Sequence, residues 1–398
     1  MKIVVTGATG FVGRQLVPLL AEAGAELLLV GRDQARLVAL FPNAKACEYE
    51  HLVELGRGFD LLVHLAVVNN DVEAPADVFN DVNVRKMLQV KEQAQRASID
   101  KFINISSTHA LNEKDLSPYG VSKRAGVQAL RETGGGFLTI YLPAVRGTKL
   151  AGKLAILNGL STPVRDLTLE ALSALRPTLR VEKLARYLLD RSLDEAETEV
   201  ILSEGQRSNL FYRGVRRTID LVFATAVVVA LWWLMLVIWA LIKLQSSGPG
   251  IFAQERVGRG GVVFTCYKFR TMKLGTVQAA TNEVSASSVT ALGHFLRRTK
   301  IDELPQIWNM FRNEVSLVGP RPCLPVQDAL VEARRRRGVL ELKPGITGLA
   351  QVNGIDMSEP ERLARWDQKY GALQSLILDL KIVLATAKGG GQGDKVAK

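Results

Sequence analysis

The chain has 398 residues, 47% of them hydrophobic, and a formal net charge of +11. That length favours two domains, the apolar fraction supplies two cores, and the charge predicts polyanionic partners: nucleic acid, anionic lipid or phosphorylated substrates. The three cysteines, Cys47, Cys266 and Cys323, stand far apart with no CxxC spacing, which argues against a disulfide framework or a cysteine zinc site and for reduced thiols in a cytosolic setting.

The first five residues run straight into a strand pattern, without the basic and apolar regions of a signal peptide, so this end is expected to fold in the cytosol. Over residues 1–205, KIVVT, ELLLV, DLLVHLA and KFINIS read as strands, with helical stretches such as 11–23 and 84–97 between them. Such alternation predicts a parallel sheet with helices on both faces. Thr6-Gly7-Ala8-Thr9-Gly10-Phe11-Val12-Gly13 follows the first strand and opens a helix. Glycines there let the backbone turn, let a pyrophosphate approach, and let helix pack on strand, while the helix N-terminus stabilises the anion. The second strand ends Val30-Gly31-Arg32-Asp33. An acid at that point binds an adenosine ribose and an arginine pairs with a 2′-phosphate, so NAD and NADP both stay open, with a lean to NADP.

Tyr119-Gly120-Val121-Ser122-Lys123 sets a tyrosine and a lysine four apart on one helix face. A nearby ammonium lowers a phenol's pKa, so the tyrosine can exchange a proton with a sugar hydroxyl or ketone. Strand KFINIS ends in Ser106-Ser107-Thr108, a source of a hydroxyl to orient the carbonyl.

A basic junction, 206–218, leads to the apolar run 219–244, which is long enough to cross a bilayer core. Asp220 and Lys243 lie near its ends, and Tyr212, Arg213, Arg216 and Arg217 precede it, as expected beside an anionic membrane face. Residues 245–387 form a motif-dense region, and 388–398 read as a disordered tail. The motifs are Gln254-Glu255-Arg256-Val257-Gly258, Lys268-Phe269-Arg270-Thr271-Met272, Asp302-Glu303-Leu304-Pro305-Gln306, Gly319-Pro320-Arg321-Pro322, and Pro344-Gly345-Ile346-Thr347-Gly348 leading into Ala350-Gln351-Val352-Asn353-Gly354. Together they describe a phosphate site. Lys268, Arg270, Arg297, Arg298 and Arg321 supply positive charge, and Pro320 and Pro322 hold Arg321 on a stiff backbone. The adjacent carboxylates Asp302 and Glu303 can hold Mg²⁺, and one of their oxygens can attack phosphorus.

On TGATGFVG, DLLVHLA, Asn83, the Ser-Ser strand end, YGVSK, LPAVRG and RPTLRVEKLA, the first half resembles the extended short-chain dehydrogenase/reductase family, which includes nucleotide-sugar epimerases and dehydratases. The resemblance implies NAD or NADP held by Gly7, Gly10, Gly13, Arg32 and Ala66. It also implies catalysis by Tyr119 and Lys123 with Ser107 or Thr108. For that family, residues 1–205 are few and leave little chain for a substrate lobe.

From about Tyr212 to Ala387 the clusters together resemble the bacterial sugar transferases, monotopic phosphoglycosyl transferases that initiate surface-glycan assembly. That resemblance implies a ping-pong reaction. Asp302 attacks the β-phosphorus of a UDP-sugar and releases UMP, and polyprenyl (undecaprenyl) phosphate then takes the sugar phosphate from the aspartate. Glu303 assists through Mg²⁺, with Asp302 and Glu303 as its ligands, and Arg321 binds phosphate. Members usually carry Ser-Pro midway along the membrane helix, where this chain has Trp232-Trp233, and a tryptophan where it has Leu349. A straight helix would part the two halves, yet NAD(P) and UDP-sugars both occur in the cytosol. The helix is therefore expected to re-enter the cytosolic face of the inner membrane.

The expected fold class is α/β: a Rossmann-type doubly wound parallel sheet, a re-entrant membrane helix and a mostly helical, membrane-associated transferase domain. The expected function is bifunctional, with the first half reducing or epimerising the UDP-sugar donor; the alternative is a non-catalytic NAD(P)-binding regulatory module. Partners are the UDP-sugar, polyprenyl phosphate and inner-membrane lipids, with homo-oligomerisation open. Nucleic acid is set aside because the basic residues sit in phosphate-handling motifs without interleaved aromatics.

Overall fold

The computed structural model describes residues 1–69, 72–147, 152–190, 197–273 and 289–390. The expected disordered tail lies, from 391 onward, outside the described residues. The chain forms two compact units, one of Met1–Thr168 with Pro177–Glu204, the other of Leu169–Arg176 with Gly205 onward.

The first unit contains β1 (Lys2–Thr6), β2 (Glu26–Gly31), β3 (Lys45–Glu48), β4 (Leu61–His64), β5 (Lys101–Ser107), β6 (Phe137–Leu142), β7 (Ala144–Arg146), β8 (Thr178–Arg180) and β9 (Glu199–Ile201). Seven of these make one sheet in the order β3-β2-β1-β4-β5-β6-β9, every pairing parallel; β7 and β8 pair separately. The strands are near-continuous apolar runs because both faces are covered. Ile3, Val5, Leu29, Val63 and Ile103 meet the helices Phe11–Glu22 and Val181–Leu189. Their neighbours Val4, Leu28, Leu62 and Phe102 pack in a core with Met87, Val90 and Leu130, from the helices Met87–Arg96 and Pro118–Thr133 on the other side. The helix expected over 84–97 starts inside a π-helical stretch, Asp81–Lys86. Strand order reverses between β1 and β4, and in such sheets ligands bind outside the carboxyl ends of the strands at that point.

In the second unit, Asn209 caps the helix Leu210–Gln245, accepting from the Tyr212 N–H at 2.9 Å. This helix starts well before residue 219 and runs unbroken, so the expected break at Trp232-Trp233 is not there. The reason is local: residues 219–245 contain neither proline nor glycine, and the Trp233 Nε1–H donates back to the Ala230 carbonyl at 3.0 Å. Tyr212, Asp220, Ala224, Ile238 and Ile242 are buried along one face. Ile219, Val222, Val229, Trp232, Trp233 and Leu236 are exposed on the others.

An antiparallel hairpin, β10 (Ile251–Val257) and β11 (Val263–Phe269), follows, and then a parallel pair, β12 (Ser316–Val318) and β13 (Gly345–Thr347). A Cβ on Gly345 would overlap the Gly319 nitrogen, and one on Gly348 the Gly319 carbonyl oxygen. The Gly-Pro-Arg-Pro and Pro-Gly-Ile-Thr-Gly motifs therefore touch through bare backbone.

Candidate active site

In the first unit β1 runs into the glycine loop at the carboxyl edge of the sheet. Gly7 takes φ +72°, and a Cβ there would overlap the backbone of Leu65 and Ala66; one on Gly13 would overlap Ala8. Gly10 caps the helix Phe11–Glu22. The result is a cradle free of side chains at a helix N-terminus, which fits a dinucleotide pyrophosphate. At the end of β2, the Asp33 carboxylate accepts from the Arg36 N–H at 2.9 Å and caps the next helix, while Arg32 is exposed.

Tyr119 and Lys123 share the helix Pro118–Thr133, capped by Ser117. The Lys123 ammonium lies 6.0 Å from the Tyr119 ring centre and donates to the Ile105 carbonyl at 3.3 Å. Burial pulls its pKa down to about 7. Asn83, buried, accepts from the Val68 N–H at 2.9 Å and donates to the Ser122 hydroxyl at 3.0 Å. The Ser107 hydroxyl accepts from the His109 N–H at 3.3 Å, and Thr108 opens a short turn, Thr108–Leu111. Beside them stands a pair that the spacing of motifs does not reveal. His109 Nδ1 is 2.6 Å from an Asp115 carboxylate oxygen, and its ring meets Tyr119 edge-on at 5.7 Å. Hydrogen bonds, first from Ser117 and then from His109, hold Asp115 down to about 2.

In the second unit Asp302 and Glu303 sit on a 3₁₀ turn, Ile301–Gln306, between the helices Ala291–Thr299 and Ile307–Phe311. The Glu303 carboxylate accepts from Lys268 Nζ at 2.7 Å and from an Arg321 guanidinium nitrogen at 3.5 Å, all three side chains largely buried. Burial alone would raise the Glu303 pKa; the Lys268 and Arg321 charges overcome it and hold the group down to about 2. Asp302 moves the other way. Burial, then the Glu303 charge, push it up to about 6 against the pull of Lys268, Arg297 and Arg321. Lys268 and Arg321 favour the charged form of Glu303, while burial and the Glu303 charge make Asp302 the more basic of the two carboxylates. Such division of two adjacent acids assigns them different roles.

Arg321 is held from several sides. The Pro320 carbonyl accepts from the Gly345 N–H at 2.9 Å, the Pro322 carbonyl from Arg256 at 3.0 Å, and Arg321's own carbonyl from Arg334 at 2.9 Å. Arg334 is in turn buried against Asp367 at 2.7 Å. A cavity beside Glu303 is lined by Lys268, Glu303, Arg321, Arg256, Cys266 and Gln306. The last three were not singled out as site residues, although strand alternation could have found two of them: Cys266 and Lys268 share a face of β11, and Gln254 and Arg256 follow the same alternation on β10.

Other expected residues lie elsewhere. Arg270 donates to the Ser246 and Ser247 carbonyls at 3.0 and 2.8 Å and so completes the end of the long helix, where a cation is favoured, rather than facing the carboxylates. Arg297 donates to the Thr271 hydroxyl at 3.0 Å and is close enough to act on Asp302, whereas Arg298, next along the helix, is exposed. Tyr212, Arg216 and Arg217, read as flanking a membrane, are engaged within the unit; of the four, Arg213 is the one exposed. Among the described residues no group of three or more His, Cys, Asp or Glu side chains gathers to hold a metal. Two carboxylates with substrate phosphate oxygens are nevertheless the usual shell for Mg²⁺, so Asp302 and Glu303 fit it.

The bacterial sugar transferase family model matches residues 211–391. The UDP-glucose:undecaprenyl-phosphate glucose-1-phosphate transferase of Caulobacter vibrioides is 41% identical over 181 residues, covering 43% of this chain and 67% of the relative. The chain belongs to the bacterial sugar transferase family. Two longer relatives share the transferase part. One is a glucose-1-phosphate transferase of the same name from Xanthomonas campestris, 38% identical over 42% of this chain. The other is the undecaprenyl-phosphate galactose phosphotransferase of Salmonella typhimurium, 34% identical over 44%. The chain spans 37% and 40% of their respective lengths. Ahead of the transferase, residues 3–156 match the NAD dependent epimerase/dehydratase family. A UDP-glucose 4-epimerase structure from Thermotoga maritima aligns with a TM-score of 0.38 at 21% identity, covering 51% of this chain and 77% of that one.

Proposed function

We propose that the transferase unit moves a sugar 1-phosphate from a UDP-sugar to undecaprenyl phosphate through a phosphosugar ester on Asp302. The observation that carries this reading is the adjacent pair Asp302 and Glu303 on one turn, with Glu303 holding Lys268 at 2.7 Å and Arg321 at 3.5 Å beside it. In the first step a carboxylate oxygen of Asp302 attacks the β-phosphorus. The bond from that phosphorus to the bridging oxygen breaks, and UMP leaves with the electron pair. In the second step a phosphate oxygen of the lipid attacks the same phosphorus, and the bond to Asp302 breaks and restores the carboxylate. Lys268 and Arg321, anchored on Glu303, bind the phosphate oxygens and stabilise charge as it develops. Mg²⁺ held by Asp302, Glu303 and the diphosphate would neutralise charge on the departing nucleotide.

The first unit is proposed to prepare the donor. Tyr119 exchanges a proton with a sugar hydroxyl or ketone, and the Lys123 ammonium beside it stabilises the phenolate. NAD or NADP on the glycine loop would supply the hydride chemistry. One observation favours the other reading, a cofactor-binding module without turnover: residues 1–205 leave little chain for a substrate lobe.

The proposed placement is on the cytosolic face of the inner membrane, and the long helix supports its being one-sided, by a different geometry from a re-entrant turn. Tyr212 near its start bonds Asp379 at 2.6 Å, and Ile238 and Ile242 near its end pack on Phe269 and Leu296. These points are about 45 Å apart along the axis, at 1.5 Å per residue. A helix crossing a hydrocarbon core of about 30 Å could not touch the same domain at both. It lies along the surface instead, with Val229, Trp232, Trp233 and Leu236 toward lipid.

The test is intact-protein and peptide mass spectrometry of the membrane-purified protein incubated with a panel of UDP-sugars. A hexose-phosphate mass gain on Asp302 is expected. A gain on another residue, or UMP release with no adduct under trapping conditions, would overturn the covalent route.

A further inference from the structure

The charged turn at the start of the long helix takes no chemical part in the proposed reaction, yet it is packed into the transferase unit. Arg217 donates to the Met310 and Phe311 carbonyls at 2.6 and 3.0 Å. Those carbonyls end the helix Ile307–Phe311, which directly continues the turn bearing Asp302 and Glu303. Asp220 accepts from the Ser316 hydroxyl at 2.8 Å and from the Leu317 N–H at 2.8 Å. Arg216 donates to the same Ser316 hydroxyl at 2.9 Å and to the Val318 carbonyl. β12 stops at Val318 and runs at once into Gly319-Pro320-Arg321-Pro322. A little over one helical turn therefore grips two segments, one behind the carboxylates and one ahead of the arginine.

Burying the Asp220 carboxylate is costly unless its oxygens are hydrogen-bonded, and the Ser316 hydroxyl and Leu317 N–H supply the donors. The Arg217 fork spans two carbonyls in a way that a lysine cannot copy. From this geometry we infer that Arg217 and Asp220 are positioning residues: the long helix sets the separation between the Asp302–Glu303 turn and Arg321, besides anchoring the enzyme. The inference rests on the transferase reading above. Displacement of reacting groups by about 1 Å costs about 10²-fold in rate, so even a small loosening of this grip is measurable.

The experiment compares full-length, membrane-purified wild type with Asp220→Asn, Arg217→Lys and Ser316→Ala. Arg213→Gln, an exposed neighbour, and Asp302→Asn serve as references. UMP release is followed with UDP-glucose, UDP-galactose and their N-acetyl forms, across pH, together with thermal unfolding. Asp220→Asn and Arg217→Lys are expected to lower kcat about 10- to 100-fold with KM within about twofold. Their acid limb should move to higher pH, because Arg321 no longer sits where its charge lowers the Asp302 pKa. Ser316→Ala should show a smaller drop of the same kind with little change in melting temperature, and Arg213→Gln none. Wild-type kcat and pH profile in Asp220→Asn and Arg217→Lys would overturn the inference. So would a loss that tracks only the unfolded fraction, with the pH midpoint of the folded molecules unmoved. If Asp302→Asn itself turns over at the wild-type rate, the transferase reading has failed instead.

Discussion

The two candidate sites in this chain are assembled by opposite means. In the first unit the functional groups stand at the ends of regular elements: Gly7 after β1, Ala66 after β4, Ser107 closing β5, and Tyr119 and Lys123 on a helix. A parallel sheet brings its strand ends to one edge, so topology gathers the site and few side chains are needed to hold it. In the second unit Lys268, Asp302, Glu303 and Arg321 come from a hairpin strand, a 3₁₀ turn and a proline-flanked loop. There ion pairs and glycine contacts gather the site. A site built from backbone tolerates loss of one side chain, whereas one built from buried charges leaves its partners uncompensated when any is removed.

The widest separation between the two should come from Asp302→Asn, with UMP release falling about 10⁴-fold or more, the scale of deleting a nucleophile. NAD(P) binding, followed by fluorescence titration, should not move, and near-normal UMP release would break the assignment.

Next in size are two changes whose side effects differ. Tyr119→Phe should lower any epimerase or reductase turnover about 10²-fold or more, followed by NAD(P)H absorbance, with transfer and melting temperature unchanged. If wild type binds NAD(P) but turns over no UDP-sugar, the first unit is a binding module. Glu303→Gln should also cost transfer about 10²-fold, and in addition destabilise by about 3–5 kcal/mol, because Lys268 and Arg321 lose their anion. Equal melting temperatures for Glu303→Gln and wild type would refute the contrast drawn above.

The pH dependence sharpens it further. Asp302 attacks only when ionised, so kcat/KM for UMP release should halve near pH 6 and fall about tenfold per unit below that. The Glu303 charge helps raise Asp302, so the midpoint should move to lower pH in Glu303→Gln; an upward move would contradict the stated cause. Smaller effects are expected at the surface. Trp232→Ser with Trp233→Ser should weaken vesicle binding at least about tenfold, because both rings are more than half exposed and apolar surface lost to lipid counts for ~25 cal/mol per Å². Lys268→Gln should impair transfer far more than Arg298→Gln; equal losses would put Arg298 back in the site.

The parts legible in the sequence were those written in periodicity. Apolar runs of strand length, a glycine loop between strand and helix, and a charge-free stretch past Asp220 each have one economical structural meaning. Charge does not. A basic residue beside an apolar run can face lipid headgroups or reach buried carbonyls, and nothing in Arg213-Gly214-Val215-Arg216-Arg217 separates the outward arginine from the two inward ones. Arg270 shows the same ambiguity, since a cation in a phosphate motif can serve a helix end. Trp232-Trp233 was itself the visible sign that the helix would stay straight. His109 and Asp115, six apart in irregular chain, carry no period at all.

The grip of the long helix on its domain also has a consequence in biosynthetic time. The partners of Asp220 lie 96 and 97 residues downstream of it, and two of Arg216's three lie 100 and 102 residues downstream. At roughly 5–20 residues per second, about 5–20 s separate the synthesis of the helix from that of the strand it holds. Through that interval the charged turn has little besides the Tyr212 hydroxyl, water and headgroups to satisfy it, which keeps the start of the helix at the aqueous boundary. Closure of the domain onto the helix must therefore be a late event in making this half of the chain.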